Sequence, residues 1–412
     1  MRPLPAAVPD TARIERARVA VTVVFVLNGL AFASWIARVP AARDRLDLTP
    51  AGLGLLLLCM AIGSVLALPA AGPLVHRLAP ARSVLSAGAL AVAGLLVLSA
   101  GLTWPSAALA GLGLFLTGAG VGVWDVSMNV EGADVEQRLG RSVMPRLHAG
   151  FSLGTVAGAL AGAGAAALRV PLAAQLVLTG VLVLAALAVA VRWFLPVPAA
   201  AGDAGPRPSG VGEAWRDPRT LLVGLLVLAF AFTEGTANDW LAVALVDGYG
   251  VSGAVAAAGF AVFVAAMTVV RLVGGALLDR FGRVPVLRVG AATALAGVLL
   301  FVLAPAAPWA AAGAVLWGAG AALGFPVGMS AAADDPRRAA ARVSVVSAVG
   351  YTAFLAGPPL IGFLAEGAGV LRALLVVPAV LALGALAAGA TRPLPVVATA
   401  DPDRRDDPCR SA

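Results

Sequence analysis

The sequence predicts an all-α membrane protein, with twelve transmembrane helices arranged as two similar halves of six. Of the 412 residues, 60% are hydrophobic and only 12% are charged, whereas soluble domains carry about 25% charged residues. The apolar residues also fall into runs of about 20, the length that a helix needs to cross the hydrocarbon layer of a bilayer. Finally, a short charged turn occurs at matching places in the two parts of the chain. Together these observations predict a polytopic fold built from a repeat.

Polar breaks between the apolar runs delimit twelve candidate spans. The first six are residues 17–39, 50–72, 83–102, 106–130, 143–168 and 171–193. The second six are residues 220–246, 252–278, 284–304, 308–331, 340–365 and 370–391. The first run is too long for a signal-peptide core and has no cleavage site behind it, so it is predicted to be a transmembrane helix.

The segments between and around the spans predict the domain organisation. Residues 195–219 are rich in proline, glycine and charge, which is typical of a linker. It separates an N-terminal half, residues 17–194, from a C-terminal half, residues 220–391. Residues 1–16 and 392–412 are predicted to be tails, on the same cytoplasmic side as the linker.

Arginine predicts the orientation. All 29 positive residues are arginine, and 23 of them fall in cytoplasmic segments if both termini are placed there. The exceptions are Arg271, inside a span, and five arginines on the other side: Arg38, Arg43, Arg45, Arg169 and Arg372. This asymmetry follows the positive-inside rule. It accounts for the net charge of +7 without a nucleic-acid partner. Cys59 and Cys409 lie in different environments, so we predict no disulfide, metal site or cofactor.

The fourth predicted span carries an ionisable residue, and such residues at membrane depth are functional candidates because charge is costly in lipid. Asp125 and Asn129 are four residues apart and so share a helix face, next to Trp124. We predict that they line a cavity. The alternative is that Asp125 lies at the cytoplasmic interface and pairs with a loop arginine such as Arg138.

The seventh predicted span carries a second polar group. Glu234 and Asn238 share a face, and Asp239 and Trp240 follow. Glu234 is predicted to lie near the bilayer midplane, where a carboxylate must be protonated, paired or hydrated. Both a transporter cavity and a buried structural pair would meet this requirement.

Three other residues inside the spans are candidates. Arg271 needs an anion because its guanidinium keeps its proton, and Glu234 and Asp125 are the candidate partners. Such a pair can couple proton binding to helix movement or simply stabilise the fold. His148 is predicted to cap the fifth helix or to contribute to the site, and Asn28 to join helices or to contact substrate.

The charged turn Gly275-Ala-Leu-Leu-Asp-Arg-Phe-Gly-Arg283 resembles the G-x-L-x-D-R-x-G-R signature of the major facilitator superfamily. In the earlier copy, His76 stands where the Asp belongs and Ala79 where the second Gly belongs. The resemblance implies a gate that closes the cytoplasmic face between the halves. Its residues would be Gly275, Asp279, Arg280, Gly282 and Arg283, with Gly72 and Arg77 in the first half. With His76, the first-half gate is predicted to be weaker or pH-dependent.

Two stretches resemble the fucose/proton symporter branch of that superfamily. The fourth span carries an acidic residue followed four positions later by Asn, as Asp125 and Asn129, and the eighth carries an Arg shortly before the signature. Residues 125–132 and 332–342 look closer still to poorly characterised bacterial inner-membrane transporters. One departure is that residues 34–38 offer no carboxylate, which the sugar symporters place late in the first helix.

These features predict a secondary transporter, not an enzyme. A chain without lysine has no G-x-x-x-x-G-K-[ST] nucleotide loop, so we expect an ion gradient to supply the energy. The prediction is proton symport of a small polar, sugar-like solute by a monomer in a bacterial plasma membrane. One alternative is an exporter of drugs or metabolites with the same fold. A membrane sensor without transport is disfavoured by the intramembrane charges in both halves.

Overall fold

A computed structural model describes residues 11–140, 143–195, 211–335 and 338–393, and within these ranges the chain is helical without strands. The first part contains α1 (Thr11–Ile36), α2 (Val39–Arg45), α3 (Pro50–Thr103), α4 (Ala107–Leu139), α5 (Met144–Ala167) and α6 (Leu172–Ala190). The second contains α7 (Val211–Ala214), α8 (Pro218–Tyr249), α9 (Gly253–Phe281), α10 (Arg283–Leu303), α11 (Ala307–Ala321), α12 (Gly324–Ala332), α13 (Ala339–Ala368), α14 (Val370–Ala373) and α15 (Val376–Leu386). Residues 196–210 of the predicted linker and most of both predicted tails lie outside the described residues, whereas residues 11–16 of the predicted N-terminal tail belong to α1.

Eleven helical stretches of the described chain are long and apolar enough to cross a membrane. One of them, α3, has 54 residues and is interrupted at Ala79, whose φ of 64° and ψ of 158° are not helical. Its two segments, residues 50–78 and 80–103, are each long enough for a crossing. The predicted all-α fold with twelve transmembrane helices is therefore confirmed.

The predicted end of the fourth span was wrong, and the predicted tenth span is divided into two helices. The predicted fourth span ends at residue 130, but α4 continues to Leu139 and ends at Gly140, which has a φ of 60°. A glycine in the left-handed conformation is a common end point of a helix. The polar residues after position 130 end the hydrophobic run but not the helix, which continues to this glycine. In the predicted tenth span, the structure has two helices, α11 and α12, separated at residues 322–323.

The hydrophobic cores differ between the two ends of the bundle. We call the end that carries the signature turn at residues 275–283 the signature face, and the end that carries α2 the far face. Toward the far face, one core cluster joins both parts of the chain and contains Trp35 and Leu57 together with Trp240 and Phe260. Toward the signature face each cluster stays within one half: one lies within residues 14–195, one within residues 223–388, and a small one of the second half contains Ala214, Ala341 and Val345. The two halves are therefore packed together at the far face and separated at the signature face.

Polar and backbone contacts reinforce the junction at the far face. Arg43 of α2 forms an ion pair with Asp247 of α8. The backbone N–H of Ala51 donates to Glu366 Oε2 at 2.9 Å. Gly54 permits close approach of α3 to α13, because a methyl group there would come within 2.6 Å of the Pro358 carbonyl oxygen.

The eight tryptophans separate into two groups of four. Trp104 and Trp309, near the far face, and Trp193 and Trp215, near the signature face, are 46–70% exposed. Amphipathic indole rings at both ends of a bundle are typical of the two membrane–water interfaces. The other four, Trp35, Trp124, Trp240 and Trp317, are fully buried and contribute to the core.

Candidate functional site

A cavity of about 1220 Å³ lies between the two halves and reaches the signature face. Its first-half wall is formed by residues of α4 and α5, including Asp125, His148 and Ser152. Its second-half wall is formed by residues of α9 and α12, including Arg271 and Ser330. Because no shared hydrophobic core joins the two halves at this end, the cavity extends from the wall of one half to the wall of the other.

An ion pair supports the second-half wall. Arg271 Nη2 of α9 donates to Glu234 Oε2 of α8 at 2.9 Å, and Arg271 Nε donates to the Ala322 carbonyl oxygen at 3.1 Å. The side chains of Arg271 and Glu234 retain 31% and 20% of their exposure. Of the two predicted partners of Arg271, the structure therefore selects Glu234. The pair joins α8 and α9 to the break between α11 and α12.

Asp125 lies on the opposite wall and is exposed to the cavity. Asn129 Nδ2 donates to the Asp125 carbonyl oxygen at 2.8 Å and approaches Asp125 Oδ1 at 3.4 Å. Within the described chain Asp125 has no ion-pair partner, since Arg138 pairs with Asp134 at 3.0 Å instead. The structure thus favours the cavity interpretation of Asp125 over the alternative of a pair with Arg138.

His148 lines the same cavity near the start of α5. Its imidazole ring contacts the Phe25 ring edge-on, with 5.2 Å between ring centroids. This contact fixes the ring on α1, while the exposed edge remains accessible from the cavity. The cavity therefore presents a carboxylate, an imidazole and a guanidinium from three different helices.

The other predicted binding residues lie away from the cavity lining. Trp124 and Trp240 are fully buried in the cores, so the prediction of a cavity surface flanked by Trp124 was wrong. Neighbouring helix positions point in different directions, and Trp124 faces the core while Asp125 faces the cavity. Asn28 is 1% exposed, with no described hydrogen-bond partner for Nδ2. Asn238 and Asp239 are partly buried on α8, outside the cavity lining.

The predicted gate residues of the second half lie at the cavity, whereas those of the first half do not. Gly275, Asp279, Gly282 and Arg283 line the cavity where it reaches the signature face, and Arg280 lies over the Phe281 ring at 5.2 Å. In the first half, Gly72 and Arg77 are exposed and lie outside the lining.

An ion-pair cluster at the signature face escaped the sequence analysis. Asp334, after α12, accepts from Arg283 at 2.8 Å and from Arg219 of α8 at 2.8 Å. Arg283 also donates to Ser330 Oγ at 3.0 Å. The cluster therefore holds Arg283 within the second half. The only sequence signal was the acidic pair Asp334-Asp335 in a loop between two spans.

Comparison with known proteins decides the family. The sequence matches the model of the Major Facilitator Superfamily over residues 21–343 and 236–408. The chain belongs to the major facilitator superfamily. It is 35% identical over 347 residues to an uncharacterized transporter of Sinorhizobium fredii, y4wD, covering 84% of this chain and 90% of the relative. It is 34% identical over 359 residues to an uncharacterized MFS-type transporter of Yersinia pestis, covering 85% and 89% of the two chains.

Solved facilitator structures share the fold. A mutant form of the nucleoside transporter NupG superposes with a TM-score of 0.78 at 13% identity, covering 91% of this chain and all of that chain. A variant of the fucose:proton symporter FucP of E. coli gives a TM-score of 0.64 at 18% identity, covering 91% and 98% of the two chains. Because the chain belongs to this superfamily, it is a multi-pass membrane transporter, and membership implies a small-molecule substrate.

Proposed function

We propose that this facilitator is a proton-coupled symporter for a small polyhydroxylated, sugar-like solute in a bacterial plasma membrane. The observation that carries the proposal is the Glu234–Arg271 pair, 2.9 Å between heavy atoms, beside a cavity of about 1220 Å³ with Asp125 on the opposite wall. Acidic groups at membrane depth are the proton carriers of many transporters.

The ion pair supplies a route from protonation to movement. A proton on Glu234 cancels the charge that balances Arg271, and the arginine must then find another acceptor because it stays charged. The element next to Arg271 is the helix break at Ala322. The carbonyl oxygen of Ala322 already accepts from Arg271 Nε at 3.1 Å. Proton binding on α8 is thereby transmitted to α9 and α11.

The conformation fits one state of an alternating-access cycle. In such a cycle the two halves rock about a central site and expose it to one side at a time. The halves, residues 17–194 and 220–391, share a core at the far face and leave a cavity at the signature face. If the arginine-rich signature face is cytoplasmic, with both termini on that side, the state is inward-open.

The polar and aromatic groups on the cavity walls support a sugar-like solute. Ser152, Thr268 and Ser330 offer hydroxyl groups, and Phe151 and Phe325 offer ring faces. Small-molecule sites commonly combine a few polar groups with apolar and aromatic walls. Proteins of the same fold named as nucleoside and fucose transporters handle related chemistry.

The test is uptake by the purified full chain in proteoliposomes with an acidic exterior. Radiolabelled monosaccharides and nucleosides are offered with and without the pH gradient. We expect one of these solutes to accumulate only with the gradient, and Asp125→Asn and Glu234→Gln to abolish accumulation. Asp47→Asn is the matched control, because Asp47 is exposed with a φ of 51°, which Asn also tolerates.

Two other outcomes would replace the proposal. The cavity also carries Met128, Met144 and Met329, and flexible thioether side chains suit varied apolar ligands. Gradient-driven extrusion of a lipophilic cation, with no sugar or nucleoside uptake, would make the protein an exporter. Saturable solute binding without flux in either direction would make it a sensor.

A further inference from the structure

A second pocket, of about 510 Å³, lies on the far face and is separate from the transport cavity. We call it the far-face pocket. The first half contributes Arg38, from the loop between α1 and α2, and Arg169, after α5. The second half contributes Ser252, Gly253 and Ala254, at the start of α9. The pocket therefore bridges the two halves at the face where they are packed together.

Arg38 carries a positive charge without a carboxylate partner in the described structure. It is 7% exposed, and its Nη1 donates to Gln175 Oε1 at 2.7 Å while Nη2 donates to the Val170 carbonyl oxygen at 3.3 Å. Both acceptors are neutral. Burial lowers the pKa of Arg38 below its ordinary value. A buried guanidinium is stabilised by an anion, and five N–H donors exceed the two neutral acceptors.

Two further groups direct positive potential into the pocket. Arg169 is exposed and forms no described ion pair. The 29-residue helix α9 begins at the pocket, with Ser252 as its N-cap, whose Oγ accepts from the backbone N–H of Val255 at 3.3 Å. Gly253 and Ala254 line the pocket, and their N–H groups, like the first N–H groups of any helix, have no partner within the helix.

One acid also lines the pocket, but it is already paired. Asp44 Oδ1 accepts from Arg43 Nη2 at 2.8 Å and from Arg43 Nε at 3.0 Å. Arg43 in turn forms an ion pair with Asp247 of the second half. Asp44 and Asp247 share the single charge of Arg43. With Arg38 and Arg169 the described arginines around the pocket outnumber these two acids by one, so the balance of charge stays positive.

We propose that the far-face pocket binds an oxyanion, a phosphate or sulfate group, between Arg38, Arg169 and the N-terminus of α9. A planar guanidinium and helix N–H groups are the usual donors to such anions. The bound anion contacts both halves, so it stabilises the state in which the far face is closed. A ligand shifts a conformational equilibrium toward the state that it binds better. The anion comes either from solution or from the headgroup of an acidic lipid.

The binding test uses the purified full chain in a neutral detergent. The midpoint of thermal unfolding is measured against sodium sulfate and sodium phosphate, with ionic strength held constant by sodium chloride. We expect a saturable rise for the wild type and about tenfold weaker apparent affinity for Arg169→Gln, because one hydrogen bond to a charged group is lost. Arg169→Lys should retain most of the rise. Sulfate also stabilises proteins in general by exclusion from their surface, and this contribution is common to all variants.

The matched control is Arg372→Gln, since Arg372 is an exposed arginine of the same face that lies outside the pocket. To separate the sources, the measurement is repeated without sulfate in nanodiscs of phosphatidylglycerol or phosphatidylcholine. A rise that depends on Arg169 in phosphatidylglycerol alone assigns the site to a lipid headgroup. Equal rises in wild type and Arg169→Gln, or no rise with any anion, would overturn the site.

The proposed stabilisation of the state with a closed far face, here called the clamp, is measured at a position in the transport cavity. In a chain with Cys59 and Cys409 replaced by Ser, Ala149→Cys reports opening of the transport cavity, which Ala149 lines. We expect sulfate to increase the labelling rate, and to lose that effect with Arg169→Gln. This readout rests on the proposed alternating access, whereas anion binding does not. Binding without a change in labelling would overturn the clamp.

Discussion

The two signature turns of the molecule have the same backbone shape but different residues. Gly282 in the second half has φ 77° and ψ 167°, and Ala79 at the matching place in the first half has φ 64° and ψ 158°. This conformation is almost restricted to glycine. The repeat therefore imposes the turn even where a β-carbon makes it costly. Pro80 follows Ala79 and favours an extended ψ for the residue before it, which fits the observed value.

The charges beside these turns differ as well. Arg283, which follows Gly282, forms an ion pair with Asp334, which also pairs with Arg219. At the matching place in the first half, Pro80 follows Ala79 and has no charge to form such a pair. Inside the bundle, Glu234 of the second half pairs with Arg271, whereas Asp125 on the first-half wall of the cavity has only a neutral partner among the described residues. The comparison indicates that Glu234 is held in a fixed pair, while Asp125 is left available to a ligand or a proton.

The largest expected effect is on transport, from breaking the intramembrane pair. Arg271→Gln should reduce proton-driven accumulation by more than about tenfold, because Glu234 loses the charge that its protonation is proposed to release. Breaking a fully buried pair destabilises a protein by about 3–5 kcal/mol. The side chains here retain 31% and 20% of their exposure, so we expect a smaller loss of folding free energy, about 2 kcal/mol. Accumulation and thermal unfolding are measured on the same preparations.

The double variant Glu234→Gln/Arg271→Gln separates stability from coupling. It removes both charges and leaves none unpaired, so the thermal midpoint should recover toward that of the wild type. Accumulation should remain lost while exchange without a gradient persists. Full gradient-driven accumulation in the double variant would show that the pair serves only the fold.

The next effect is on the stability of the charged cluster in the second half. Asp334→Asn leaves Arg283 and Arg219 without their shared carboxylate, whose side chain is 13% exposed. A hydrogen bond to a charged group contributes about 1.5–3 kcal/mol to stability. We therefore expect Asp334→Asn to lower the free energy of unfolding by about 2 kcal/mol. The matched first-half control is Asp134→Asn, which breaks the Arg138 pair between adjacent turns of α4. It should cost less than about 0.5 kcal/mol, and equal losses would contradict the contrast between the halves.

An effect of opposite sign in the two halves is expected at the turns. Gly282→Ala adds a β-carbon to a left-handed backbone and should cost about 1–3 kcal/mol. Ala79→Gly should stabilise by about 1 kcal/mol, because the relieved strain exceeds the added freedom of the unfolded chain. Unfolding in detergent compares the two. Gly72→Ala is the control, since a β-carbon there has open space around it. Destabilisation by Ala79→Gly would contradict the strain assigned to the first turn.

Much of the helical scaffold could be predicted from the sequence, because runs of apolar residues and the repeated turn are local patterns. Charge and predicted depth in the membrane indicated two candidate partners for Arg271, Glu234 and Asp125. The structure shows the pair with Glu234. The position of Trp124 could not be predicted, since a helix that is apolar on all sides has no periodicity that separates its core face from its cavity face. The Asp334 cluster and the far-face pocket join residues of distant segments, and no local pattern marks such contacts.

The smallest expected effect comes from restoring the missing signature residue. His76→Asp places the signature carboxylate at the first-half turn, where the side chain at position 76 is exposed. Exposed charges contribute about 0.2–1 kcal/mol, so we expect about a two- to threefold shift in population. The shift should favour closure of the signature face and slow the labelling of Ala149→Cys in a chain without other cysteines. Because the labelling rate of any cysteine depends on its thiolate and hence on pH, the two chains are compared at the same pH. Identical rates at every pH would show that the first-half turn takes no part in the gate, leaving gating to the second half.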